Sequence, residues 1–322
     1  MFNQIQNGAL KSGNAVKLDE PVHMDKSGNA VADEKDGLGL PVSIKITRPE
    51  NCFVLDETGS NTHGKDDARK GGEKKVVPKG EVPRELVGVH DSHFSVLPIT
   101  NYLGELVFVT VIFAAEKLNN AWTFGVDVFA ELEGNEDDFD STGDACCNFG
   151  TGKRFPGLSL PDAEGNDVPT LFAATPNASM TTAILKKTFA AMDELNITSC
   201  GVNEDGTLYF PLVVIDGHAS RMGEAFLEYV NDESHRWLAM LGAPYGTDIW
   251  QFHDDKRQNG CFKTELSDAK SRFTLKKRVH GLKAEILPVE IVIPLREAIM
   301  NSFMRTDFGK SALAVRGCYP FN

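Results

Sequence analysis

Two apolar, β-branched runs in this chain each lead straight into an aspartate. Cys52-Phe53-Val54-Leu55 is followed by Asp56-Glu57-Thr58-Gly59, and Leu212-Val213-Val214-Ile215 by Asp216-Gly217-His218. Runs of this kind favour buried strands, so each aspartate stands where a rigid element ends, with Gly59 expected to break the first strand just beyond. Two such ends on neighbouring strands would make one oxygen-rich site. Hard divalent cations, Mg²⁺ or Mn²⁺, take oxygen ligands, and a pair of them about 3.5–4 Å apart can activate a water or hydroxyl and stabilise a leaving oxyanion in phosphodiester cleavage. A third carboxylate is then expected after the last core strand, at the start of a long helix, where Gln251-Phe252-His253-Asp254-Asp255 offers two. Imidazole suits softer metals than Mg²⁺, so His218 and His253 read as groups that support a ligand or contact a phosphate. Glu57 reads as a solvated neighbour or hydrogen-bonding support of Asp56. Asp and Gly also dominate ordinary turns, so either motif alone is equally well strand-to-turn punctuation. Both together, with a third acid ahead of a basic helix, favour the site.

The elements that would position these residues are legible from periodicity. Residues 42–47 alternate as a half-buried strand and Pro49 ends it. Residues 93–99 and Leu106–Ala114 are strong β-runs around Asn101-Tyr102-Leu103-Gly104-Glu105, which predicts an antiparallel hairpin. From residue 115 to about 209 the signal weakens into an acidic run, a Pro/Gly-rich stretch and a short helix over 181–195, which reads as an insertion. A helix over 222–230, a strand over 235–241, a long amphipathic helix over 259–283 and an apolar segment over 286–299 follow. The order is strand, strand, strand, insertion, strand, helix, strand, helix, with the first and fourth core strands both ending in Asp. Alternating strand and helix in the second half implies parallel neighbours. The fold class is therefore α/β: a ribonuclease-H-like mixed sheet flanked by helices, with an insertion between the third and fourth strands. Residues 1–40 read as a polar N-terminal extension of turns and short strands, without a helix-turn-helix pattern, and residues 41–322 as one catalytic domain.

Composition narrows the function classes. Among 322 residues, 41% are hydrophobic and 25% charged, an ordinary globular balance. No run approaches the roughly 18 apolar residues of a membrane span, and the N-terminus lacks the basic start and apolar stretch of a secretory signal. The net charge of −13 argues against nonspecific nucleic-acid binding by the whole chain. Residues 256–283 nevertheless carry nine Lys/Arg against Glu265 and Asp268, enough for a local grip on a phosphate backbone. Lys256, Arg257, Lys263, Lys276 and Lys277 are its candidate DNA-contacting residues. The six cysteines have no CxxC or His-spaced partner and read as reduced structural thiols. A calcium loop starting at Asp138 fails because its twelfth position is Phe149, and Gly150–Arg154 fails as a phosphate loop because Arg stands where Ser or Thr must bind Mg²⁺.

Three stretches carry a resemblance. Pro49-Glu50-Asn51 through Leu55-Asp56-Glu57-Thr58-Gly59-Ser60-Asn61-Thr62 resembles the first catalytic-aspartate motif of the pogo/mariner-like group of DDE-superfamily transposases. Leu212-Val213-Val214-Ile215-Asp216-Gly217-His218-Ala219-Ser220-Arg221 resembles the second, and Pro244-Tyr245-Gly246-Thr247 with Trp250-Gln251, Asp254, Gly260 and Phe262-Lys263 the third. In that third motif the Asp stands three residues after the Gln, which selects Asp254. The resemblance covers roughly residues 20–322. Many relatives carry His where this chain has Arg221, and His253 replaces a small residue expected before the third Asp. The resemblance implies a cut-and-paste DNA endonuclease and strand transferase, nuclear, using a two-metal Mg²⁺ or Mn²⁺ site on Asp56, Asp216 and Asp254. Glu57, His218, Arg221, Gln251 and His253 would surround that site. DNA is the implied partner, a homodimer is compatible with it, and no membrane is involved. Two other readings stay open: a catalytically inactive transposase-derived module that binds nucleic acid or protein, and a metal-dependent phosphohydrolase acting on RNA or small esters.

Overall fold

The structure, a computed structural model, describes residues 2–24, 30–31, 38–62, 92–119, 121–124, 158–162, 164–215, 223–242 and 258–315. In chain order the elements are α1 (Phe2–Lys11), β1 (Ala15–Met24), β2 (Ala30–Val31), β3 (Leu38–Ile46), β4 (Cys52–Leu55), β5 (Thr58–Asn61), β6 (His93–Asn101) and β7 (Leu106–Ala114). Then come α2 (Ala121–Phe124), β8 (Thr170–Thr175), α3 (Thr182–Glu194), β9 (Gly201–Val202), β10 (Leu208–Tyr209), β11 (Leu212–Ile215) and α4 (Glu224–Asn231). β12 (Leu238–Leu241), α5 (Gln258–Val279), α6 (Val292–Asn301) and α7 (Thr306–Val315) complete the described chain.

Seven strands make the main sheet, in the order β12-β11-β4-β6-β7-β8, with β5 paired to β6 in line with β4. β4, β6 and β7 are successive antiparallel neighbours, while β11 and β12 run parallel to β4 on its other side. Numbered along the chain, the five core strands thus lie in the order third, second, first, fourth, fifth. This is the ribonuclease-H-like mixed sheet flanked by helices that the strand order predicts. The hairpin is as expected. Asn101 Oδ1 accepts from the backbone N–H of Leu103 and Glu105, and Gly104 takes the left-handed φ of +79° that the turn requires.

Side-chain alternation sorts the core into two faces. Phe53, Leu55, Leu97, Ile99, Phe108, Val213 and Ile215 pack against α3 and α4, and Phe189 of α3 lies with its ring centroid 4.4 Å from that of Trp237, just before β12. On the opposite face, Phe94, Val96, Val109, Val111 and Phe113 meet α5 and α6 through Phe262, Leu266, Phe273, Leu295 and Ile299. Cys52, Val54, Leu212 and Val214, on that same face, are covered by the N-terminal layer through Ala9, Ala15, Ile44 and Ile46. Burial pushes the Cys52 thiol well above its ordinary range, and Glu50 adds to the shift, so Cys52 acts as a small core residue.

Two parts of the chain differ from the sequence reading. Residues 2–24 are not a separate polar extension: α1, β1 and β3 form a layer that seals β4 and β11. Asn51, immediately before β4, ties this layer to the rest. Its amide donates to Asn14 Oδ1 and to the Ser199 carbonyl, and its Oδ1 accepts from the Ser199 N–H. Within residues 115–209, β8 joins the sheet edge parallel to β7 and α3 covers its face, so this segment is partly built into the core. Alternation was too short there to be read.

Asp193, at the end of α3, gathers three donors: the hydroxyls of Tyr229 and Thr198 and the indole N–H of Trp237. It thereby joins α3 to α4 and to the approach of β12. Burial first, then the hydrogen bond to Asp193 and its charge, raise the Tyr229 phenol above its ordinary value, which is near 10. The unfolded chain then loses this proton before the folded one does. The contribution is complete below about pH 10 and is lost as pH rises toward the folded value. Urea midpoints should fall more steeply above pH 10 for the natural chain than for Tyr229→Phe. Equal alkaline slopes would remove the Tyr229–Asp193 bond from the account.

Candidate functional site

The site builds outward from β4. Its four residues are all buried, Cys52 and Phe53 completely, and it is hydrogen-bonded on both sides, to β11 and β6. Asp56 therefore leaves a strand fixed in all directions. The chain does not break at Gly59, as the sequence had implied. It resumes at once as β5, in the same register against β6: Leu55 pairs with Ile99 and Thr58 with Val96. Gly59 is an interior strand residue under His93, whose ring would lie 2.9 Å from any added Cβ.

That shared register sets Asp56 opposite Pro98. On the other side of β6, Pro98 pairs with Val109, whose N–H is directed away to the Pro169 carbonyl. By the alternation of an antiparallel ladder, the Pro98 nitrogen then faces Asp56, and it carries no hydrogen. Proline inside a central strand is normally excluded. Here it withholds one ladder donor opposite Asp56, while β4 and β5 stay in one register against β6.

Alternation also sends the two acids to opposite faces. Asp56 is half-buried on the side of α5, where Asn259 Nδ2 donates to its Oδ2 at 3.0 Å. Glu57 faces α3, and its Oε2 accepts from the Met180 N–H at 3.4 Å, just ahead of the Thr181 hydroxyl that caps that helix. Glu57 supports the entry to α3, on the face of the sheet opposite Asp56.

β11 brings the second motif alongside. Its register against β4 matches Leu212 with Cys52, Val213 with Phe53 and Val214 with Val54, and it ends at Ile215, whose next residue is Asp216. α5 supplies the third neighbour, because its second residue, Asn259, is the one that touches Asp56. Asp254 precedes Gln258 by four residues, a tether of at most about 14 Å when fully extended. Asp216, His218, Arg221, Gln251, His253, Asp254, Lys256 and Arg257 themselves lie outside the described residues. Among the described residues no cluster of three or more His, Cys, Asp or Glu is present. Asp56 supplies the hard oxygen donor that Mg²⁺ or Mn²⁺ prefers, and its described partner, Asn259, is a neutral amide.

The basic block is not one basic face. α5 stops at Val279, short of residue 283, because Gly281 takes a left-handed φ of +73° while Leu282 N–H and Gly281 N–H cap the carbonyls of Lys277 and Arg278. Lys277, expected to contact DNA, is a correction. It is 5% exposed, and its ammonium is held by both Glu290 carboxylate oxygens and the Glu285 carbonyl, so it is spent on the fold. Lys270 is likewise buried, donating to Asn61 O at 2.9 Å. Arg272 pairs with Glu297. Lys263 is half-buried and Lys276 exposed.

The sequence reading singled out neither Asn259 nor Lys270 as a contact of this strand, although a signal was present. Phe262, Leu266, Ala269 and Phe273 form the buried stripe of α5, and Asn259, Lys270 and Lys277 fall on that same stripe. A polar residue at a core position of an amphipathic helix needs an internal partner, and each of these has one.

No family model matches the chain, and no curated protein matches it. Among solved structures it is similar to the Mos1 transposase paired-end complex with left transposon end, at 8% identity and TM-score 0.34, over 86% of this chain and 58% of that one. It is similar also to the Mos1 strand transfer complex, at 8% identity and TM-score 0.34, over 85% of this chain and 57% of that one. The chain thus spans less than three fifths of the length of these structures.

Lys277→Met should strand Glu290 as a buried, uncompensated charge and lower stability by about 3–5 kcal/mol. The double variant Lys277→Met/Glu290→Leu should recover most of that loss, while the exposed Lys276→Ala stays within about 0.5 kcal/mol. Urea unfolding of the three variants measures this. A Lys277→Met protein as stable as the natural one would return Lys277 to the surface.

Proposed function

We propose that this chain is a metal-dependent DNA endonuclease and strand transferase of the cut-and-paste type, in which Asp56, Asp216 and Asp254 hold Mg²⁺ or Mn²⁺. The observation that carries this reading is the pairing of β4 with β11. Two buried, parallel, adjacent strands in matched register are each followed directly by an aspartate. The motifs around all three aspartates support the same reading, as does the approach of the α5 N-terminus to Asp56.

Cations at such a site would make a nucleophile available near neutral pH and offset charge on the leaving oxygen. The chain's own contribution is rigidity and access. β4 and β11 end directly before Asp56 and Asp216, Pro98 presents no backbone donor opposite Asp56, and the exposed part of the basic helix, Lys276 included, offers contacts to a phosphate backbone. Lys256, Arg257 and Lys263 would extend that contact toward the site. A nuclear location and assembly as a homodimer belong to this reading as expectations.

The purified protein should nick supercoiled plasmid in Mn²⁺. Asp56→Ala, Asp216→Ala and Asp254→Ala should each abolish nicking, whereas Asp255→Ala should leave it intact. Affinity for duplex DNA should fall steeply with salt, and Lys276→Glu should flatten that slope without unfolding the protein. Nicking that persists undiminished in Asp216→Ala would overturn the endonuclease. Salt-sensitive DNA binding with no cleavage, indifferent to all three aspartates, would favour a non-catalytic binding module instead.

A further inference from the structure

We infer that Asn259 is a positioning residue for Asp56: its amide, bonded to Oδ2, fixes the plane in which the carboxylate meets a cation. The inference rests on the metal-dependent reading above.

A carboxylate swings easily about its last torsion, since sp³–sp² rotations are broad. Asp56 follows a rigid strand, but its head needs a second point of restraint. Asn259 Nδ2 supplies one, 3.0 Å from Oδ2. An amide suits the task because it is neutral. It occupies a lone pair on one oxygen without placing a positive charge beside a cation site, as Lys or Arg would.

The contact is not a chance meeting of surface groups. Asn259 is 3% exposed, and the helix that carries it is tied to the same strand a second time. Lys270, 6% exposed, donates to the Asn61 carbonyl at 2.9 Å. Along α5 the two anchoring residues are 11 apart (270 − 259), and along β4–β5 their partners are 5 apart (61 − 56). A helix rises about 1.5 Å per residue and a strand about 3.3 Å. Both spans are therefore about 16.5 Å. Helix and strand run side by side with matched rulers, and Phe262, Leu266 and Ala269 seat the helix between its two anchors. A slip of α5 by one turn, about 5.4 Å, would break both contacts at once. The placement of the Asp56 carboxylate is thus set by the docking of α5 as well as by the sheet.

The test is a double-mutant cycle read by Mn²⁺ binding, followed by electron paramagnetic resonance of the free ion, on the natural chain, Asn259→Ala, Asp56→Ala and the double variant. Asn259→Ala should weaken Mn²⁺ binding about tenfold or more and lower the nicking rate, while duplex DNA affinity measured in EDTA is unchanged. In the Asp56→Ala background it should weaken Mn²⁺ binding no further, because a residue acting through Asp56 has nothing left to act on. Unchanged Mn²⁺ binding in Asn259→Ala, or additive losses in the double variant, would overturn the positioning role and leave the endonuclease standing. Asn259→Leu fills the same space without a donor and guards against simple loss of packing. If both Asn259 variants unfold, the residue is structural and the inference fails. A natural chain that neither binds Mn²⁺ nor nicks would remove the endonuclease reading itself, and Asn259's role with it.

Discussion

The structure depends on β4 being held from every direction. It has a parallel partner on one side, an antiparallel partner on the other, and a packed layer above and below. Only four residues long, it has no exposed position at which to relax. The acid that follows inherits that immobility without being buried itself. A functional group gains most from a rigid support when the support ends just before it, and Asp56 is placed in that way.

What surrounds β4 follows from this constraint. A sheet whose first strand is central must be sealed on both faces along its whole width, and no single helix is long enough. α5 and α6 cover the β6–β7 end of one face, and the N-terminal layer of α1, β1 and β3 covers the β4–β11 end of that face. α3 and α4 cover the other face, knotted together at Asp193. Three buried polar residues hold pairs of elements in one relative position: Asn51 at the start of β4, Asp193 beneath α4, and Lys277 against Glu290. Buried polar contacts contribute little net energy for their number, but they penalise wrong arrangements heavily.

Much of this was legible in the residues. The strands at 52–55, 93–101, 106–114 and 212–215 announced themselves by uninterrupted apolar, β-branched runs, and the hairpin by Asn101 and Gly104. The mixed topology followed from element order alone. Of the N-terminal layer only β3 was legible; β1 carries exposed Lys17, Asp19 and Glu20, and its apolar content is too low to stand out. β8 was hidden by its length and by the acidic stretch before it. In the proposed site, the aspartates are read from chemistry and strand context. The contacts of α5 with Asp56 and Asn61 were missed because Asn259 and Lys270 look like ordinary polar residues until the helical stripe is drawn through them. Pro98 and Asp56 could not be paired on paper at all, since register between strands is a property of the sheet and not of either strand.

The adjacency of Asp56 and Glu57 has a consequence for how this fold can err. Because neighbouring strand residues face opposite ways, displacement of β4 by a single step would hand the α5 side a carboxylate one methylene longer and turn the aspartate toward α3. Two acids side by side thus look like redundancy but behave as a reading frame. Asn51, pinned at once to Asn14 and Ser199, acts as its start signal. An insertion or deletion between Asn51 and Asp56 would leave the composition of the site almost intact while putting the wrong letter in the frame.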